Sequence, residues 1–560
     1  MTNSPLTARS PKGPVAGARK TRRFGLDIWS CVAALIALIV LAPILAVIWI
    51  ALWPEEQIWG HLVSTTLPRY LGNSLILMIS VGGLTGVIGA AAAWMTTRYD
   101  FPLRRWLDYL LLLPLAIPAY IGAYALVDFL EYAGPVQRLM RQVFGWQDAR
   151  DYWFPEIRSM GAAILVLTAA LYPYVYLLSR AAFREQSASG DEVARSLGAG
   201  PFARFRRVGL PMARPAIAAA MSIVMMETVN DFGTVDFFAV QTLTTGIFSV
   251  WLQSYNPGGA AQIACVILAL VLALVLIEKT SRRRLRFYAP GRRHRPVTRR
   301  QLHGWRAALA TLGCIVPFLA GFVLPGSVIL GHALAAGEGW RDPGLLAALR
   351  HTLVICGAAS IVTVLAAILL VYGVRLSGAA LPRLLLPVTT IGYAAPGAVL
   401  AVGILVPLAT LDHHLADGIQ ALTGWDPGLL LTGTAFAVVL AYCVRFFAIA
   451  QGATDGAMGR VPPSLPMAAR SLGRSRARVL TSVYLPLIRG TLASALLLVF
   501  VDSVKELPAT LLLRPFNYDT LATRVFEKAS LEQLGQAAPA AVLVIAVGLV
   551  AVGLLARSNR

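Results

Sequence analysis

Charge is scarce in this chain: of 560 residues only 14% are Asp, Glu, Lys or Arg, whereas 57% are hydrophobic. A soluble protein of this length carries about a quarter charged residues, so a water-soluble fold is excluded. Cysteine is also sparse. Cys31, Cys265, Cys314, Cys356 and Cys443 all lie in apolar stretches, and no two have the spacing of a metal knuckle or redox pair. They read as small core residues. There is no G-x-x-x-x-G-K-[ST] loop to cradle a nucleotide phosphate. No Ser/His/Asp or metal-hydrolase constellation is evident, so an enzyme is not expected; adjacent His413 and His414 read as an exposed polar turn. No cleavable signal is expected either, because the first apolar run is too long for a signal-peptide core.

What is abundant is apolar sequence in runs of bilayer-spanning length, about 20 residues each. Twelve spans are predicted near 28–53, 70–96, 107–131, 159–180, 213–232, 261–280, 308–331, 350–374, 384–410, 428–450, 489–506 and 536–556. The runs are continuous rather than alternating, which indicates helices and not a barrel. The fold class expected is an all-α polytopic membrane protein.

Orientation follows from arginine and lysine. The segment before the first span holds Arg9, Lys12, Arg19, Lys20, Arg22 and Arg23, and the stretch "SRRRLRFYAPGRRHRPVTRRQ" is equally basic and free of acid. The positive-inside rule puts both in the cytoplasm, with six spans between them, and puts both termini there as well. "WPEEQIWG" and "TLDHHLADG" then fall outside. The net charge of +21 is therefore a topology signal, and no nucleic-acid partner is expected.

The chain also repeats itself. "EVARSLGAGPFARFRRVGLP" (192–211) and "MAARSLGRSRARVLTSVYLP" (467–486) match at eight of twenty positions, 275 residues apart. At an offset of 278, "TLTTGIF" (242–248) faces "TLATRVF" (520–526), "GNSL" (72–75) faces "RHTL" (350–353), and Pro118 faces Pro396. The expected organisation is a basic cytoplasmic tail (1–27), a first six-helix domain (28–280), a basic linker (281–306) and a second six-helix domain (307–557). Each half has an even number of spans, so the repeats run parallel, about an axis along the membrane normal. A substrate path would run between them. Both copies of the twenty-residue segment fall between the fourth and fifth spans of their half, with Leu-Pro opening the next membrane helix. Pro114, Pro118, Pro387 and Pro396 are expected to kink or interrupt the third and ninth helices.

The duplicated segment resembles the "EAA" loop of permease subunits in binding-protein-dependent ABC importers: Glu-Ala-Ala, three residues, Gly, nine residues, Ile-x-Leu-Pro. The first copy supplies Glu192, Val193, Ala194, Gly198, Val208, Leu210 and Pro211. The second supplies Met467, Ala468, Ala469, Gly473, Val483, Leu485 and Pro486, with Met467, after Pro466, replacing the glutamate. Residues 60–556 further resemble the fused permeases of ferric-iron importers, in stretches such as "LLLPLAIPAYIGAYAL", "METVNDFGTVDFF" and "DSVKELPATLLLRPFNYDTLATRVFEKASLE". Permeases for thiamine, phosphonates, polyamines and sulfate share that architecture. The resemblance implies an inner-membrane transport subunit that binds no cofactor itself. It implies coupling segments docked on two copies of a cytoplasmic ATPase, which uses the ATP, and an extracytoplasmic binding protein that delivers substrate. A gradient-driven secondary transporter is one competing class and a channel or membrane-embedded enzyme another; a gradient-driven carrier has no need of a duplicated cytoplasmic loop.

Acids within spans are the last signal. Glu227 and Asp231 are four apart, on one face of a helix, and Asp502 and Glu506 repeat them at the 275 offset. A carboxylate at a membrane centre costs about 2.5–3.5 kcal/mol on insertion scales and so faces a cavity or a partner. Glu227 lies about 24 Å along the helix from Pro211, near the outer mouth. The four acids are expected to line the translocation path; alternatively they end helices or pair locally, as Lys505 beside Glu506 could. No firm metal ligand set is assigned. Arg445 reads as a side chain snorkelling to the cytoplasmic interface.

Overall fold

The structure, a computed structural model, describes residues 28–186, 188–283, 299–377, 386–390, 392 and 395–558. The basic tail and most of the basic linker lie outside them. Among the described residues eleven helices are long and apolar enough to cross a membrane, and twelve if a bent pair counts as one. That pair, Arg104–Ala116 and Ala119–Phe144, turns by 94° and forms the third span. The break falls at Ile117–Pro118, where Pro118 stands just before the second helix; Pro396 stands in the same place before Gly397–Thr423. The chain is an all-α polytopic membrane protein built from two similar six-helix repeats.

Several boundaries differ from the sequence expectation. The ninth spanning helix is Gly397–Thr423, so His413 and His414 lie on a helix and not in a turn. Asp412, past the middle of this helix, holds the following loop: its carboxylate accepts from the backbone N–H groups of Leu430, Leu431 and Thr432 at 2.8, 2.9 and 2.7 Å. Leu-Pro does not open the fifth and eleventh spans. Those helices begin earlier, as Pro201–Asn230 and Arg476–Val504, and Leu-Pro lies inside them. Proline has no N–H and its ring crowds the carbonyl four residues back, so the helix widens there. The N–H of Leu210 reaches back five residues to Phe205, and that of Leu485 to Leu480. A third Leu-Pro, Leu324-Pro325, does the same, with Leu324 bonded to Leu319.

The two halves exchange their first helices. Ile28–Leu52 buries Ala33, Ala37, Val40, Ile44 and Val47, a stripe at helical spacing, and turns Leu35, Leu38 and Leu45 outward. The stripe packs on the eighth and ninth spans, which belong to the second half, as well as on the sixth. Gly373 is seated against the Trp29 carbonyl, and Gly403 against the Pro43 carbonyl. Reciprocally, Gly304–Ala335 of the second half lies on the first, with Gly321 against the Ala169 carbonyl of the fourth span. Thr311 Oγ1 donates to the Pro102 carbonyl (3.3 Å), and His332 Nε2 meets Asp128 Oδ2 at 2.9 Å. A short parallel bridge, Tyr99–Asp100 with Arg300–Gln301, anchors the start of this helix. Small residues at these crossings let backbones approach closely, the usual basis of helix association in lipid. The two repeats are thus interlocked, each carrying one helix on the other's surface. All five cysteines are free, and Cys31 is exposed on the first helix rather than in a core.

The duplicated fragments turn out to be partners. Leu243 N–H donates to Ser74 Oγ (3.0 Å), and Leu521 N–H to Thr352 Oγ1 (2.8 Å). One residue earlier, Asn73 Nδ2 donates to the Gln241 carbonyl (2.8 Å) and His351 Nδ1 to the Asp519 carbonyl (3.1 Å). Thr242 with Thr245, and Thr520 with Thr523, form capping boxes at the starts of the two short helices. "GNSL" and "TLTTGIF" are therefore two sides of one joint, built once per half.

Candidate functional site

The fifth and eleventh spans end at Asn230 and Val504, and at both ends the chain turns back into the protein. The segments that follow, Gly233–Phe237 and Pro508–Leu513, are short and largely buried. All four acids, Glu227, Asp231, Asp502 and Glu506, line one cavity of about 190 Å³ between the halves.

Their roles separate on geometry. Asp231 Oδ1 accepts from the N–H groups of Thr234 (2.9 Å) and Val235 (3.2 Å), and Oδ2 from Thr234 Oγ1 (2.9 Å). Glu506 repeats this 275 residues later, accepting from Ala509 N–H (3.2 Å), Thr510 N–H (3.2 Å) and Thr510 Oγ1 (3.0 Å). Each satisfies N–H groups that a helix start leaves without a carbonyl partner. Glu227 and Asp502 sit one turn earlier, within the spanning helices, and face the same space.

Two cations share the cavity. Arg445 lies near the middle of Ala435–Gly459, not at its inner end, and its side chain is 14% exposed. It does not snorkel: its Nη1 is 3.8 Å from Glu506 Oε1, and that nitrogen makes no hydrogen bond. Hydropathy places an arginine only by distance to a predicted helix end, and the tenth span begins later than expected. Lys505 is not spent on its neighbour Glu506 either; its Nζ donates to the Leu115 carbonyl of the first half at 2.6 Å. Among the described residues that line the cavity, four carboxylates thus face two cationic side chains, a formal excess of two negative charges. No group of three or more His, Cys, Asp or Glu side chains is close enough to hold a metal ion among the described residues. The described lining is an acidic surface.

The duplicated twenty-residue segments form a second paired feature. Helices Ala188–Ser196 and Ser464–Ser471 each end in a left-handed glycine, Gly198 at φ +77° and Gly473 at φ +79°. Gly198 N–H bonds the Arg195 carbonyl and Ala199 N–H the Ala194 carbonyl, both at 3.0 Å. Gly473 and Arg474 make the same bonds to Arg470 and Ala469, at 3.0 and 3.1 Å. This pair of bonds is the Schellman motif. The shared pentapeptide Ala-Arg-Ser-Leu-Gly is that motif spelled out, from the third-last helical residue to the glycine beyond the cap. Glu192 and Met467 are both exposed, as is Ala468; Ala194 and Ala469 are half-buried. The leucines before the two glycines, Leu197 and Leu472, are 81% and 83% exposed, and Phe202 beside the first is also exposed. Leu210 and Leu485 are half-buried at the widened turns before Pro211 and Pro486.

Comparison with known proteins adds the following. A family model described as binding-protein-dependent transport system inner membrane component matches residues 82–287 and, a second time, residues 359–560. The chain is 25% identical over 493 residues to the Fe(3+)-transport system permease protein FbpB 2 of Haemophilus influenzae, covering 86% of this chain and 88% of that protein. It is 23% identical over 483 residues to the ferric transport system permease protein FbpB of Actinobacillus pleuropneumoniae, covering 82% of this chain and 66% of that one. The sulfate transport system permease protein CysT of Salmonella typhimurium is 26% identical over 256 residues, which is 44% of this chain and 87% of that protein.

Proposed function

The chain belongs to the family of inner membrane components of binding-protein-dependent transport systems, and we propose that it is the whole membrane part of an ATP-driven importer of ferric iron. The cavity between the halves carries this reading: its excess of negative charge suits a cation with hard oxygen preference and opposes a dianion such as sulfate. The relatives named for ferric iron match both halves of the chain. Thiamine, phosphonate or polyamine permeases share the architecture and remain the competing substrate classes.

In this reading the Schellman-capped helices are cytoplasmic docking elements, one for each of two ATPase copies, and both termini are cytoplasmic. Exposed Leu197, Phe202 and Leu472 supply apolar contact, and Glu192 against Met467 makes the two contacts unequal. An extracytoplasmic binding protein delivers the ion. Receptor outside and ATP inside each bind one state of the membrane part better, and alternating access follows from that difference. The chain itself performs no chemistry and carries no cofactor.

The test is reconstitution in liposomes with its ATPase and binding protein, following uptake of radioactive iron and of sulfate. ATP-dependent entry of iron and not sulfate is expected; uptake driven by an ion gradient without the ATPase would overturn the importer reading. A second test concerns the glycines. A Cβ at Gly198 or Gly473 meets nothing within 4 Å, so Gly→Ala imposes only the left-handed strain of about 1–2 kcal/mol. Each variant is expected to keep ATP hydrolysis while losing part of the uptake, to different extents at the two sites. Equal hydrolysis-to-uptake ratios in wild type and both variants would refute the docking role.

A further inference from the structure

The carboxylates of the central cavity are duplicated, but its cations are not. At the 275-residue offset Asp231 answers Glu506 and Glu227 answers Asp502, whereas Lys505 is answered by Asn230 and Arg445 by Ala170. Neutralising the acids for stability alone would call for a cation in each half. Among the described residues both cations come from the second half, and neither makes a hydrogen bond to an acid. Arg445 stands 3.8 Å from Glu506, beyond hydrogen-bond reach, and the Glu506 oxygens are already occupied by Ala509 and Thr510. Lys505 crosses to the opposite half and holds the Leu115 carbonyl, beside the break in the third span.

We propose that Arg445 and Lys505 form a tethered charge plug that keeps the empty acidic cavity from conducting small cations. A space lined by four carboxylates at low dielectric would otherwise attract any monovalent ion that reached it. The two fixed positive charges raise the energy of any cation there in proportion to its charge, the substrate included. Lys505 also makes the plug sensitive to the state of the protein. Its bond to Leu115 spans the two halves, so separation of the halves removes the ammonium from its seat. The plug then yields with the transport cycle and not to diffusion alone.

The inference rests on reading this cavity as the substrate path. Its test uses the full chain in proteoliposomes with thallium(I) as probe and a quenched internal dye, without iron, ATP or binding protein. Wild type is expected to be as tight as empty liposomes. Arg445→Gln and Lys505→Gln are each expected to raise thallium entry about tenfold, the effect of ~1.4 kcal/mol on a barrier. Arg445→Lys, which keeps the charge, should return entry near the wild-type rate. Tight glutamine variants that elute as folded protein would overturn the plug, and so would Arg445→Lys leaking as fast as Arg445→Gln, which would indicate lost packing. If Arg445→Gln does not fold, Lys505→Gln alone decides, since its tether ends on a backbone carbonyl that the change leaves in place. Because the assay contains no iron and no ATP, a negative result removes the plug and leaves the importer reading to its own uptake experiment.

Discussion

Glu227→Gln and Asp502→Asn should each lower ATP-driven uptake by an order of magnitude or more, with the yield of folded chain unchanged. Both changes preserve side-chain volume and remove a charge, so packing around the cavity is retained. Each acid sits inside a spanning helix and faces the space between the halves. A tenfold loss requires only ~1.4 kcal/mol of lost attraction for the passing ion, a modest demand for a carboxylate at low dielectric. The contrast lies one turn away. Asp231→Ala and Glu506→Ala remove the acceptors of two or more hydrogen bonds at a helix start, at a cost of about 0.5–2 kcal/mol each. These should lower the thermal midpoint in detergent, where Glu227→Gln and Asp502→Asn do not. Full uptake by Glu227→Gln would remove that residue from the path, and an unshifted midpoint for Asp231→Ala would remove its capping role.

The second large effect concerns the exchanged helices. Gly403→Val places a Cβ into the Pro43 carbonyl oxygen, with Val47 close beside it, and a backbone atom in a packed helix has little room to retreat. Overpacking of this kind costs about 1–3 kcal/mol and more where backbone is struck. Gly418→Val on the same helix is the matched control, because a Cβ there meets open space. Gly403→Val should show a sharply reduced yield of monodisperse protein on size-exclusion chromatography, and Gly418→Val should resemble wild type. Equal behaviour would mean that the first helix is not seated on the ninth.

The sequence carried the repeats in full view but not how their pieces meet. "GNSL" and "TLTTGIF" were legible as duplicated strings; that Ser74 bonds the start of the second string depends on a turn of chain no periodicity records. The stripe Ala33, Ala37, Val40, Ile44, Val47 announces a buried helix face, yet the same stripe would serve against either half. Proline positions were legible at Pro118 and Pro396, where no carbonyl four residues back is needed for a continuing helix. They misled at Pro211 and Pro486, because a helix can absorb the missing N–H by widening instead of starting afresh. Arg445 was misplaced for a related reason: its depth was measured from an apolar run, and the helix itself is displaced along the chain. The four acids were found because charge in a membrane helix is conspicuous. That two of them cap the next helix required seeing where the chain goes after Asn230 and Val504.

The exchange of first helices also sets a schedule for biosynthesis. Pro43 and the glycine it rests on are separated by 360 positions along the chain. At about 5–20 residues per second, a ribosome needs roughly 20 to 70 s to travel from one to the other. Throughout that interval the first helix stands in the bilayer without its final neighbour. Its strongly apolar sequence suits it to stand in lipid until the sixth span, and then the eighth and ninth, arrive to cover its buried stripe.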